Sequence, residues 1–191
     1  MKNSFWKIDK LSLFLIPIGI AINFIGGQVA LLLKLPLYLD SIGTIVVGAL
    51  CGYLPGIIVG LISNLLNSVS DPITMFYAIL NIAFGIVAAY LSTKGVFKSF
   101  WKTILSALLF ALIGGGAGSV MTWVLYGFDF GTGVSSMFAI PLYEAFHLPK
   151  FLAQFIAEFT MDIFDKVLTV IAAFGILKAI PTRFLAKLPF G

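Results

Sequence analysis

Apolar residues fall into six runs along the chain, separated by short polar or glycine- and proline-bearing breaks. The runs cover roughly Leu11–Leu33, Ser41–Tyr53, Pro55–Val69, Thr74–Leu91, Thr103–Tyr126 and Phe151–Ala179. Each reads as a helix. A helix that spans a bilayer needs about 20 residues, and the second and third runs are shorter. Such segments persist when other helices bury them, so that they do not face lipid alone. The stretch Gly127–Lys150 between the fifth and sixth runs has mixed polar character and reads as a long loop. No low-complexity region or soluble segment interrupts the pattern, which predicts one domain of six helices over residues 1–191.

Glycines stand at every fourth position through Gly48, Gly52, Gly56 and Gly60, with Pro55 among them. Inside a helix, glycine costs about 1 kcal/mol relative to alanine and proline about 3 kcal/mol. The compensation is close approach, because small residues four apart let helix backbones meet. Gly48 and Gly52 therefore predict a groove on the second helix, and Gly56 and Gly60 one on the third. Leu54-Pro55 is expected to make the reversal, with the proline at the first position of the next helix. Gly114, Gly115, Gly116 and Gly118 predict similar packing on the fifth helix, loosened or kinked by three glycines in a row. Asn23, Asn64, Asn67 and Asn81 are expected to hydrogen-bond between helices.

Composition turns helices into membrane helices. Of the 191 residues 60% are hydrophobic and 10% charged, with mean hydropathy +1.09. A soluble domain carries about 25% charged residues, so the expectation is an all-α integral membrane protein. Lys2, Lys7 and Lys10 before the first run resemble the start of a signal peptide. The run continues past twenty residues without a small-residue cleavage pattern, and reads as a retained span. The single cysteine, Cys51, allows no intrachain disulfide and reads as a buried space-filling thiol.

Charge sets the expected orientation. Nine of the twelve basic residues lie in three groups: Lys2, Lys7 and Lys10; Lys94, Lys98 and Lys102; and Lys178, Arg183 and Lys187. Six spans put all three on one side, which the positive-inside rule makes cytoplasmic, with both termini there. Asp40, Asp71, Asp129 and Glu144 then lie outside.

The last run carries the chemistry. At 100° per residue, Gln154, Glu158, Asp162, Asp165 and Thr169 share one narrow face. Charged groups at membrane depth cost about 2.5–3.5 kcal/mol each on insertion scales, so this face must look inward. Asp162 and Lys166, four apart, can pair within the helix. Glu158 and Gln154 lie nearer the outer surface and either reach a ligand or bond a neighbouring helix. Tyr38, Asp40, Asp71, Phe130, Tyr143, Glu144 and His147 come from the outer loops, and Trp123 and Tyr126 end the fifth helix at that level. The aromatics among them read either as an interfacial belt or as a lid over a small-molecule site. Candidate substrate-binding residues are Tyr38, Asp40, Asp71, Asn81, Trp123, Tyr126, Tyr143, His147, Gln154, Glu158 and Asp162.

Glu144-x-x-His147 has the spacing used in di-metal carboxylate sites, but such sites need two copies, and the chain has one histidine. The motifs of zinc proteases, P-loop proteins, serine hydrolases and dinucleotide binders do not occur. The sequence therefore predicts no enzyme, no metal and no cofactor.

The segment Leu35-Pro-Leu-Tyr-Leu-Asp-Ser-Ile-Gly43, followed by GALCGYLPGIIVGLISN at Gly48–Asn64, resembles the S components of energy-coupling-factor (ECF) transporters. These are bacterial vitamin-binding membrane subunits. The likeness extends over the whole chain in layout and is strongest over residues 35–92. It implies a six-helix bundle in the cell membrane, both termini cytoplasmic, with loops one, three and five covering the ligand near the outer face. It also implies partners: a shared transmembrane scaffold subunit and two cytoplasmic ATPases. Members of the family often dock on the scaffold through Ala-x-x-x-Ala on helix one. Here Gly19-x-x-x-Asn23-x-x-x-Gly27 and Gly26-x-x-x-Ala30 stand in its place, making Gly19, Asn23, Gly26, Gly27 and Ala30 the expected docking positions.

Four outer acids against Lys34 and Lys150 point away from a strongly anionic ligand. A neutral or cationic vitamin is expected, such as cobalamin or a pyrimidine or pyridoxine precursor. An anion such as pantothenate or folate would need Lys34 or Lys150 as counter-ion. The alternative is a membrane sensor module resembling the input regions of some histidine kinases, against which stands the lack of an output domain before Gly191.

Overall fold

The computed structural model describes residues 8–131, 134–185 and 188; Lys2, Lys7 and Lys187 of the basic groups lie outside them. The regular elements among the described residues are all helical, with no strand. Helix α1 covers Lys10–Leu32, α2 Ile42–Cys51, α3 Tyr53–Asn67 and α4 Ala78–Thr93. Helix α5, Phe100–Ala111, runs through one π-helical turn, Leu112–Ala117, into α6, Gly118–Leu125. Helix α7 spans Val134–Phe146, α8 Lys150–Ala179 and α9 Thr182–Leu185. Two stretches are long and apolar enough to cross a membrane by length and composition, Lys10–Leu32 and Phe100–Leu125. Helix α8 is longer than either, but its charges set it apart.

Each predicted run is helical to within a few residues of its expected bounds. Two expectations are corrected. The stretch 127–150 is not a loop, because α7 occupies most of it and packs along α8. Pro141 inside α7 removes one intrahelical bond, a loss that packing on α8 offsets. The reversal between α2 and α3 turns on Gly52, not on Leu54-Pro55. Gly52 has φ 99° and ψ −167°, open to glycine alone, and α3 already begins at Tyr53. Pro55 is the third residue of α3, where the backbone N–H would lack an intrahelical partner in any case.

Gly52 is thus a hinge, and the groove is built by other glycines. A Cβ on Gly56 would lie 2.9 Å from the Gly48 Cα and 3.1 Å from the Gly85 Cα, so α2, α3 and α4 meet backbone to backbone. A Cβ on Gly60 would approach the Asn81 carbonyl oxygen at 2.6 Å. Around this contact lies a core of Ile45, Val47, Val59, Phe84, Phe110 and Val170.

The small residues of α1 also pack inward. Gly19 abuts Gly43 of α2 together with Val47 and Val59, Gly26 takes the Leu39 carbonyl, and Gly27 lies against Asn67 and Asp40. Asn23 is fully buried. Its amide donates to Thr44 Oγ1 at 2.7 Å and Ser63 Oγ at 3.0 Å, and its Oδ1 accepts from the Gly43 N–H at 2.6 Å. Ala30 is buried as well. The five expected docking positions therefore belong to the bundle's own interior, and the exposed face of α1 is Leu13, Phe14, Ile18 and Ile25.

Helix α8 is polar inside and apolar outside. Gln154, Glu158, Asp162, Asp165, Lys166 and Thr169 are buried, whereas Phe164, Leu168 and Ile171 are exposed, Phe164 to 64%. The predicted stripe is therefore real and faces inward.

Candidate functional site

A cavity of about 560 Å³ lies inside the end of the bundle that carries the 33–41 connection. The connection itself contributes Lys34, Leu35, Leu37, Tyr38 and Asp40. Helix α3 and the following turn contribute Asn64, Asn67 and Asp71, α4 and its approach Tyr77, Asn81 and Phe84, and α8 Glu158, Asp162 and Lys166. Thr122 and Tyr126 of α6 and its end, with Ser135 and Met137 of α7, close another side. Exposed Lys34, Ser70 and Met137 mark the rim. Both the size and the mixture of apolar wall with a few polar groups suit a small organic molecule.

The 33–41 connection, loop one, is held in place from beneath. Asp165 Oδ1 accepts from the backbone N–H groups of both Tyr38 and Leu39 at 2.9 Å, with Leu39 at φ 53°. Its Oδ2 takes the Lys166 ammonium at 2.6 Å. Lys166 is 1% exposed and also reaches Asp162 Oδ1 at 3.3 Å and Ser41 Oγ at 3.4 Å. Its Nζ lies 4.7 Å from the centre of the Phe84 ring, a favourable place for a cation. The expected Asp162–Lys166 pair is thus present, and Asp165 is its shorter partner. Burial raises the Asp40 carboxyl in the connection above the ordinary carboxylate range, and nearby Lys166 pulls it part of the way back. Asp165→Ala is expected to speed hydrogen exchange at the Tyr38 and Leu39 amides at least about tenfold. A bond to a charged acceptor contributes about 1.5–3 kcal/mol, and exchange resolved by mass spectrometry reads the change.

Deeper polar groups knit α3, α4 and the turn between them. Asn64 donates to the Thr74 carbonyl at 2.8 Å. Its Oδ1 accepts from Asn81 at 2.7 Å, and Asn81 also donates to the Asp40 carbonyl at 3.2 Å. Asp71 caps the short 3₁₀ turn Pro72–Met75, its Oδ1 accepting from the Ile73 N–H. Gln154 donates to Glu158 Oε1 at 2.8 Å, while Tyr77 and Thr122 hydroxyls share a bond of 2.6 Å. The glycines of the π-helical turn make room for Asp162: a Cβ on Gly114 would strike its carboxylate.

The cavity therefore gathers Tyr38, Asp40, Asp71, Asn81, Tyr126, Glu158 and Asp162 from the sequence-predicted set. Four others lie elsewhere. Gln154 is buried behind Glu158 and supports it. Trp123 packs edge-on against Phe151 at 5.5 Å and Phe128 at 6.3 Å, and Tyr143 against Phe130 at 5.6 Å. His147 is exposed, with φ 51°. Tyr143 and His147 were expected over the mouth because 127–150 reads as a loop, and Trp123 because it ends the fifth helix at that level. As helix α7, the segment presents Val134, Ser135 and Met137 instead.

Residues that the sequence did not point to are Tyr77, Thr122 and Ser135. Their signal is faint, since hydroxyls within apolar helices carry no charge to demand an inward face. Lys150 does not line the cavity and pairs with Asp129 at 2.9 Å on the surface. That ammonium holds the Asp129 carboxyl below its ordinary value. Lys150→Ala is expected to leave ligand-induced stabilisation and melting temperature unchanged, because an exposed pair contributes little.

No protein family, curated protein or solved structure matches this chain. The case for its activity rests on the site.

Proposed function

We propose that this protein is a membrane-embedded substrate-binding subunit, an S component of an ECF-type transporter, that captures a water-soluble vitamin or vitamin precursor for uptake. The observation that carries the reading is the 560 Å³ cavity floored by Glu158 and Asp162 of a helix whose outward face is apolar. Polar-in, apolar-out is the arrangement a bilayer demands of a helix with charged residues, and exposed Leu105, Leu108, Leu112 and Val124 extend the apolar surface to α5 and α6. On this reading α1, α2, α3, α4, the joined α5–α6 and α8 are six spans, with α7 a cap beside the mouth. Both termini are cytoplasmic in the membrane of a bacterium.

The chain binds its ligand and leaves ATP hydrolysis to partners. Loop one and the neighbouring turn close over the ligand. The subunit then docks on a shared scaffold through α1 and topples in the bilayer to deliver the ligand inward, and two cytoplasmic ATPases drive its release. With Gly19, Asn23, Gly26, Gly27 and Ala30 engaged internally, the scaffold meets the apolar face of Leu13, Phe14, Ile18 and Ile25. The cavity volume favours a ligand of pyrimidine or pyridoxine size over a corrinoid with its nucleotide loop. Uptake of a bound vitamin by cells is expected to cease when both ATPases are deleted; persistent uptake overturns the reading.

A further inference from the structure

Among the described residues the cavity floor has more carboxylates than cations. Lys166 is the buried ammonium there, and Asp165, Asp162 and Ser41 together take its three protons. Asp165 has the shortest contact and is completed by the Tyr38 and Leu39 amides. Asp162, 3% exposed, is left the longer contact on one oxygen, and its Oδ2, turned against Gly114, accepts from none of the described residues. Glu158, one turn earlier and 6% exposed, forms no ion pair among the described residues and is held by neutral donors alone, the Gln154 amide and the Thr122 and Ser135 hydroxyls. Asn81 cannot supply a donor: both its described bonds are donated by Nδ2, to Asn64 and to the Asp40 carbonyl. That fixes its orientation and leaves Oδ1 without a partner among the described residues. Glu158 and Asp162 thus line one void, and among the described residues their counter-charge is the single Lys166 ammonium, already shared with Asp165.

Buried acceptors without donors are costly, and buried carboxylates need a counter-charge. Resting on the receptor reading above, we infer that the ligand is an organic cation of vitamin size that donates several N–H groups, such as a protonated amine, amidine or aminoheterocycle. Glu158 receives its charged group, and the incompletely compensated charge of Asp162 one turn away adds to the field that draws it in. Tyr77 and Tyr126 in the cavity wall suit a flat cation. Lys34 at the rim is the remaining cation of the lining, and it stands in the exposed mouth, away from the floor.

The experiment uses the full chain in nanodiscs and two isosteric series that differ in charge at one position. They are pyridoxamine, pyridoxine and 4-pyridoxate, and benzamidine, benzamide and benzoate. Thermal stabilisation at up to millimolar concentration reads binding to the folded state. The expected result is stabilisation by pyridoxamine and benzamidine at least about tenfold tighter than by their neutral partners, with none from the anions. Glu158→Gln, which keeps the shape and the Gln154 contact, is expected to weaken the cations about 100-fold and to erase the preference over the neutral isosteres. Asp162→Asn serves as the second variant, with a smaller loss expected. Tightest binding by pyridoxate or benzoate overturns the inference while leaving a receptor in place. Absence of stabilisation by every compound overturns the inference together with the receptor reading. Equal binding by wild type and both variants overturns the assignment of Glu158 and Asp162.

Discussion

Replacing Lys166 with methionine is expected to destabilise the protein by about 3–5 kcal/mol, the most of any change considered. The ammonium is buried between two carboxylates, at 2.6 Å from Asp165 and 3.3 Å from Asp162. Removing one partner of a buried ion pair strands the other charge, and the loss is of that size. Against a total stability of about 5–15 kcal/mol, most molecules would not survive mild heating. Thermal unfolding in nanodiscs measures it. The double variant with Asp165→Asn is expected to recover more than half of the loss. Asparagine removes the stranded charge, and its Oδ1 can still accept the Tyr38 and Leu39 amides that hold loop one. A single variant that melts with the wild type would mean that the carboxylates do not depend on this ammonium.

The second large effect is expected from Gly85→Val. A Cβ at Gly85 would stand 2.5 Å from the Gly56 carbonyl carbon and 3.0 Å from its Cα. Both are backbone atoms, so no side chain can swing away, and α3 and α4 must separate. Overpacking of this kind costs about 1–3 kcal/mol and occasionally more, and valine adds two methyl groups beyond the first clash. Gly175→Ala on α8 is the matched control, since a Cβ there meets nothing within 4 Å. It is expected to raise stability by about 0.5–1 kcal/mol, the ordinary gain from replacing a helical glycine. Should the two variants melt alike, the glycine contact between α3 and α4 is not a constraint on the fold.

Much of the fold was legible along the chain, for reasons tied to particular residues. Apolar runs show where helices lie because the turns that pack into the bundle must be apolar. The inward stripe of α8 was readable because Glu158, Asp162, Asp165 and Lys166 are too costly to leave on an apolar outer surface, and only one face satisfies all four. The glycines of α2 and α3 announced close packing, though not their partner. Gly85 on α4, far off in sequence, completes the contact, and Gly52 serves as a turn in a series that looked uniform.

The candidate site was half legible. Tyr38, Asp40, Asp71, Asn81, Glu158 and Asp162 stand out as polar groups in apolar surroundings. Tyr143 and His147 stand out in the same way, yet the folding of 134–146 into α7 directs that segment's contribution elsewhere, and Trp123 at the end of α6 packs on Phe151 and Phe128. Short helices such as α7 draw most of their stability from packing on a neighbour, and its neighbour α8 is not visible from the segment itself. For the same reason the small residues of α1 read as an outer docking groove, when α2 and the 33–41 connection fill it.

The sequence alone determined that the chain is helical, that its outer surfaces are apolar, and that the last long helix turns its charges inward, because these follow from local periodicity and the cost of burying or exposing single side chains. Only the tertiary structure decided which carboxylate Lys166 serves first, which glycines touch, and that Glu158, Asp162 and Asn81 share one void. Those are facts of distance between residues remote along the chain, and periodicity within a helix carries no information about what stands opposite it.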